Sequence, residues 1–260
     1  MTRQVLLTED GPVARVSLSN PGKLNAMSRA MWRGLREVFT DLQRRTDIRC
    51  VLLQGEAANF CAGGDIAEYP DFRFDEASLR DFHENDVWGG LQAVLDCDIP
   101  VVALIEGACM GAGMEIASCC DLRLAGASAR FGAPIAKLGF PMAPREAALV
   151  MRAAGELTAR EMLLSAGVLD APTMQQRGFL NRVLADSDVA AEALATARRV
   201  AALAPHAARQ NKQCFRALAQ VLPGQTAIDL IATGSAYGYA DSAEHREGVA
   251  AFIEKRVPQF

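Results

Sequence analysis

Two short apolar runs, at 50–54 and 100–105, constrain this chain most, because each is too short for a buried helix and each ends at a glycine, Gly55 or Gly107. Such runs, closed by a turn residue, read as strands buried on both faces. Around them the apolar positions switch to helical spacing. Ser28 stands as a cap ahead of Met31, Leu35, Val38, Phe39 and Leu42, a helix expected to reach about Arg45. Between the two runs, 76–95 carries an apolar stripe of Leu79, Phe82, Val87, Leu91 and Val94, interrupted by Gly89 and Gly90. The segments 4–7 and 13–18 flank Glu9-Asp10-Gly11-Pro12 as a β-hairpin, and 122–125 reads as a further strand. Alternating short strands and amphipathic helices predict an α/β fold.

From about Ala190 the pattern becomes helical throughout. Helices are expected at 190–203, 206–219, 226–237 and 242–255, separated by Pro205, Pro223-Gly224 and Asp241. With 260 residues, half of them apolar, the chain can bury a large core, read here as 1–190 with a helical appendage at 191–260. The balance of 27 basic and 31 acidic residues, without a run of like charge, predicts no nucleic-acid surface. No stretch approaches the ~20 uninterrupted apolar residues of a membrane span, since the longest, around 100–117, contains Glu106 and Glu115. The N-terminus lacks a signal peptide's apolar region, and seven cysteines without a C-x-x-C fit reduced, packed thiols, so a cytoplasmic protein is expected.

Chemistry is expected at two glycine-rich turns. In the first, Asn59-Phe60-Cys61-Ala62-Gly63-Gly64-Asp65-Ile66, small residues let a ligand approach the main chain, though a tight turn with Asp65 as a helix cap reads equally well. The second, Glu106-Gly107-Ala108-Cys109-Met110-Gly111-Ala112-Gly113-Met114-Glu115, opens a helix. An Ala112 N–H in the first helical turn has no intrahelical partner, and Glu115 projects from nearly the same face. A donor and a carboxylate then share one small volume, with the helix N-terminus favouring the ionised carboxylate unless burial opposes it. A dinucleotide fingerprint fits poorly, because Ile116 stands at the third glycine position. His83, His206 and His245 form no metal motif, and His83-Glu84 reads as helix surface. Cys61 and Cys109 have no identifiable histidine partner and read as packing residues.

Taken together, Asn20-Pro21-Gly22-Lys23-Leu24-Asn25-Ala26-Met27, the first glycine turn, and the stretch from Ile99-Pro100 through Glu115 to Cys120-Asp121-Leu122-Arg123 resemble the enoyl-CoA hydratase/isomerase (crotonase) family. Arg130-Phe131-Gly132-Ala133-Pro134 and the segment from Glu247 to Arg256 extend the resemblance over nearly the whole chain. It implies a spiral of ββα units with a C-terminal helical trimerisation region, and a homotrimer or dimer of trimers. It also implies an oxyanion hole formed by the Gly64 and Ala112 N–H groups, with Glu115 as acid/base. By the same resemblance, Lys23, Leu24 and Ala26 line the CoA path, Ala62, Asp65 and Ile66 lie beside the thioester, and Phe252 and Lys255 reach a neighbouring subunit's CoA. No separate cofactor is implied, since coenzyme A is part of the acyl-CoA substrate.

One departure stands out. Hydratases of this family carry a second glutamate where this chain has Ile135, and an aliphatic group cannot move a proton. Gly139-Phe140-Pro141-Met142-Ala143-Pro144-Arg145-Glu146 also differs from the usual glycine-rich run and offers Arg145 or Glu146 as a group that enters the pocket or lies on the surface. Hydration, double-bond isomerisation, decarboxylation, thioester hydrolysis and acyl-CoA binding without turnover therefore all remain open.

Overall fold

The N-terminal hairpin forms as read, with β1 (Gln4–Asp10) and β2 (Val13–Ser19) antiparallel and Gly11 at φ +58° in the turn. The computed structural model describes residues 3–219 and 242–260, and the helix expected at 226–237 lies outside them. Parallel to β2 run β3 (Cys50–Gly55) and β4 (Val101–Ile105), the two glycine-terminated apolar runs. The chain then crosses to a second sheet through β5 (Ala108–Met110) and returns to the first with β6 (Leu122–Gly126). It crosses again for β7 (Arg130–Gly132) and β8 (Val168–Asp170), and ends at the large sheet with β9 (Arg182–Leu184). The sheet orders are β1-β2-β3-β4-β6-β9 and β5-β7-β8. Strands of three residues carry too little periodicity to read from sequence, which is why the small sheet was not expected.

The helices are α1 (Arg29–Gln43), α2 (Glu76–Asp81), α3 (Trp88–Asp96), α4 (Ala112–Cys119), α5 (Pro144–Ala154), α6 (Glu156–Leu164), α7 (Ala171–Gln176), α8 (Val189–Ala201), α9 (Pro205–Leu218) and a C-terminal helix, Ala243–Glu254. Ser28 caps α1 by accepting from the Met31 N–H. The helix expected at 76–95 runs unbroken over 76–96, but a π-helical turn, Phe82–Val87, joins α2 to α3 within it. Gly89 and Gly90 do not break it. A side chain on Gly90 would meet the Trp32 carbonyl at 3.0 Å, so the glycine lets α3 press against α1.

Alternate residues of the central strands face opposite sides, as a strand's two-residue period requires. Val51, Leu53, Val101 and Ala103 belong to the main core with Trp32, Leu35 and Leu91. Cys50, Leu52, Val102 and Leu104 face the other way, onto Val189, Ala193 and Ala197 of α8. The helical region from 191 therefore begins as a layer on the large sheet. It continues with α9, which is tied down by Lys212 on the Ile99 carbonyl and on Asp121, and by Arg216 on Asp98. Part of the Cys120–Arg123 motif is structural: the Arg123 guanidinium donates to the Ala117 and Cys120 carbonyls and satisfies the C-terminal end of α4.

Candidate active site

A β-bridge between Cys61 and Cys109 joins the two glycine turns, with the Cys61 N–H on the Ala108 carbonyl and the Met110 N–H on the Cys61 carbonyl, both at 2.8 Å. A second bridge pairs Met27 with Gly64, so the segment before α1 holds the first turn from its other side. Gly63 at φ +117° and Gly111 at φ +49° adopt backbone that L side chains rarely take. A Cβ on Gly113 would stand 2.5 Å from the Cys61 carbonyl oxygen, so only glycine lets the start of α4 approach the first turn this closely. Among the described residues, neither the Gly64 nor the Ala112 N–H donates a hydrogen bond. Both groups, together with Glu115, border one cavity of about 330 Å³. Two free N–H donors beside a carboxylate can hold an oxygen as it gains negative charge while a proton moves nearby.

For Glu115, burial is the deciding condition. Its place in the first turn of α4 favours the charged form, but burial dominates and, with the Glu146 charge, pushes the carboxyl up to about 8 against the opposing Arg73 cation. Near neutral pH Glu115 is therefore mostly a neutral acid. The remaining wall is largely apolar, and Ile135, on a short 3₁₀ turn from Ile135 to Leu138, is part of it. Tyr69, Arg73 and Phe140 form a stacked group in which the Arg73 guanidinium lies 3.6 Å from the Phe140 ring centre and 4.5 Å from that of Tyr69. The Tyr69 hydroxyl reaches to 2.2 Å from where a Cβ on Gly64 would be. Burial pushes the Cys61 thiol up to about 12 and raises that of Cys109, which fits protonated packing residues.

Sequence reading missed His83 and left the places of Arg145 and Glu146 open; neither of the latter two borders the cavity. His83 does not lie on a helix surface but borders the cavity, carried there by the π-helical turn. Its Nδ1 is 3.1 Å from Oε1 of Glu146, a carboxylate only 2% exposed in the first turn of α5. Arg145 goes the other way, pairing with Glu84 at 3.2 Å over the Trp88 ring. Pro144 opening a helix fixed where α5 starts, and a first-turn acid was visible there, but its partner lies 63 residues away. Among the described residues no cluster of three or more His, Cys, Asp or Glu side chains forms a metal site.

The other expected residues divide. Ala62, Gly64, Ile66, Ala112 and Glu115 all border the cavity. Asp65 is buried just outside it, accepting from Lys23 Nζ at 2.6 and 2.8 Å and from the Ala67 N–H as the cap of the following 3₁₀ turn. Burial opposes its ionisation, yet Lys23 and Asn20 prevail and hold the carboxyl below its ordinary value. Leu24, at φ +46°, and Ile66 are apolar and more than half exposed next to the first turn, while Ala26 is buried. Phe252 is 84% exposed, and within one chain neither it nor Lys255 borders the cavity.

Comparison with known proteins gives the same picture over the full length. The family model for enoyl-CoA hydratase/isomerase matches residues 8–260. A probable enoyl-CoA hydratase of Mycobacterium tuberculosis is 34% identical over 262 residues, covering 100% of this chain and 99% of the relative. The 2,3-dehydroadipyl-CoA hydratase of Escherichia coli is 29% identical over 259 residues, covering 99% and 98%. A solved enoyl-CoA hydratase/carnithine racemase from Magnetospirillum magneticum superposes with a TM-score of 0.93 at 36% identity, covering 100% of this chain and 96% of that one. The mixed α/β architecture is thus the crotonase fold, and the chain belongs to the enoyl-CoA hydratase/isomerase family.

Proposed function

We propose that this protein acts on an acyl-CoA thioester by stabilising an enolate, in the manner of an enoyl-CoA hydratase/isomerase, with Glu115 moving the proton at the carbon next to the thioester. One observation carries the reading: the unengaged N–H groups of Gly64 and Ala112 border the same apolar cavity as Glu115. The thioester oxygen would sit between the two donors, each worth about 2.7 to 4 kcal/mol of transition-state stabilisation. The largely apolar wall strengthens the hydrogen bonds that the two donors give to a developing negative charge. Lys23, Leu24 and Ala26 would line the path of the CoA, with Ala62, Asp65 and Ile66 at the thioester end. Phe252 and Lys255 would meet the CoA of a neighbour in a homotrimer, for which the exposed Phe252, Ile253 and Val257 supply apolar surface. No cofactor beyond the substrate's own coenzyme A enters this reading.

Ile135 in the cavity wall favours a second reading, an acyl-CoA-binding protein or a decarboxylase or thioester hydrolase of the same family. Assay of crotonyl-, hexenoyl- and cinnamoyl-CoA hydration, with Glu115→Gln as control, separates them. A loss of about 10²-fold or more in kcat for the variant is expected. Equal inactivity of both proteins, with CoA esters still bound, would sink the enzyme claim.

A further inference from the structure

We propose that His83, oriented by the buried Glu146, is the second proton-handling group of this site: it takes a proton from the water that adds to an enoyl-CoA, while Glu115 supplies the proton to the α-carbon. The inference rests on the enolate reading above and names the group that Ile135 does not provide.

Three observations place the pair. First, His83 and Glu115 border the same cavity, so an acyl group held there lies beside both residues. Second, Glu146 is a carboxylate shielded from solvent whose single hydrogen-bond partner among the described residues is His83. Burying a carboxylate on one contact is costly, and the arrangement yields an imidazole whose Nδ1 is fixed while Nε2 has no partner among the described residues. Third, the backbone departs from regular helix at this residue. Within the helical stretch 76–96 the π-helical turn Phe82–Val87 shifts the side-chain register from that of a regular α-helix, and such turns recur at functional sites.

The chemistry balances. His83 Nε2 accepts a proton from water as the oxygen bonds to the β-carbon of the enoyl group. The π pair shifts toward the thioester and its negative charge is held by the Gly64 and Ala112 N–H groups. The enolate then collapses by taking the proton of neutral Glu115 at its α-carbon. One water has added across the double bond, and the imidazolium and the carboxylate return to their starting forms by exchange with solvent. A cavity acid pushed up to about 8 is suited to the donor's part. Glu146 does not touch the substrate in this scheme and acts as a positioning residue.

The test compares two reactions of one protein. Hydration of crotonyl-, hexenoyl- and cinnamoyl-CoA needs both groups, whereas exchange of the α-protons of butyryl-CoA with D₂O needs only Glu115 and the two N–H donors. His83→Ala is expected to lower hydration by roughly 10² to 10⁴-fold, a loss at least tenfold greater than its loss of exchange, with partial recovery on adding imidazole. Glu146→Gln is expected to lower kcat of hydration about tenfold with KM nearly unchanged, which a purely structural contact would not produce. Hydration by His83→Ala within threefold of wild type would overturn the proposal. So would equal losses in hydration and exchange without imidazole recovery, as would wild-type exchange unaccompanied by hydration. A wild type that neither hydrates nor exchanges would instead sink the enolate reading beneath it.

Discussion

The two sides of the cavity are built differently. On one side, the Gly63–Asp65 and Gly111–Glu115 turns present main-chain N–H groups fixed by two β-bridges and by glycines that permit close approach. On the other, the π-helical turn and the segment from the 3₁₀ turn at Ile135–Leu138 to Ala143 present side chains whose positions depend on contacts between distant segments, such as that of His83 with Glu146 of α5. The first side has little freedom to vary without losing its donors. The second, held by side-chain packing between distant segments, could exchange an acid or base without disturbing those turns. An enolate-holding wall that is constant and a proton-handling wall that is interchangeable would let one scaffold serve several reactions.

The most damaging way to break this contrast is Gly113→Ala. Its Cβ would stand 2.5 Å from the Cys61 carbonyl, a main-chain atom that cannot swing aside, so the turns must separate and the donors diverge. Loss of one aligned donor costs about 10²- to 10³-fold in kcat. Hydration and α-proton exchange are expected to fall together by about that factor, measured alongside circular dichroism to show retained fold. A loss confined to hydration would show that the donor wall is not what Gly113 supports.

A second pair of changes acts on the variable wall with opposite signs. Exchange needs ionised Glu115, so its rate rises with pH through the Glu115 value of about 8. Removing the like charge in Glu146→Gln lowers that midpoint, and removing the cation in Arg73→Met raises it. At pH 7 exchange is expected to increase about threefold in the first and fall about threefold in the second, taking a half-unit displacement each way. Glu146→Gln should then speed exchange while slowing hydration. Displacements in the same direction would refute the electrostatic assignment.

The same contrast explains what could be read from the chain. Strands β3 and β4, the cap at Ser28 and both glycine turns announce themselves within a few residues, because backbone conformation there is set by local residue types. Ala112 and Glu115 stood out as candidates in the second turn itself, whereas Gly64 entered as a donor only through the family resemblance. His83 did not stand out, since helical periodicity gave no sign of the π-helical turn, and its partner Glu146 is joined only by tertiary packing. The acidity of Glu115 was open in the sequence for a related reason: the helix N-terminus is a local feature, but the burial that outweighs it is a property of the assembled core. α8 showed its helical period, but nothing in that period revealed the second face of the large sheet on which it lies.

Burial of Glu115 also bears on stability. Its folded value of about 8 lies above the unfolded value of 4.5, so the folded state holds the proton more tightly. Below about pH 4.5 the group is neutral in both states and contributes nothing to the difference. As pH rises toward 8 the unfolded state gains by ionising, and the full penalty is reached above 8. Glu115→Gln escapes it. Its Tm advantage over wild type is expected to be near zero at pH 4.5 and to grow up to pH 8, by about 2 to 4 °C for each kcal/mol relieved. A constant offset across that range would mean that the gain is packing alone.

The smallest effect is expected where the constant wall meets solvent. Lys23 is half-buried and ion-paired to Asp65, whose side chain also accepts from the Ala67 N–H beside the first glycine turn. Lys23→Met removes one partner of a buried carboxylate, but Asn20 and Arg3 remain within reach of Asp65 at 3.5 and 3.3 Å. The turn should therefore hold, and kcat should change by less than about twofold. If Lys23 also meets the CoA, KM for every CoA ester should rise by about three- to tenfold irrespective of the acyl group, since a lost charge contact is worth roughly 1 kcal/mol at a partly exposed site. A fall in kcat with KM unchanged would instead place Lys23 in the support of the Gly64 donor, making this ion pair part of the constant wall rather than of the CoA path.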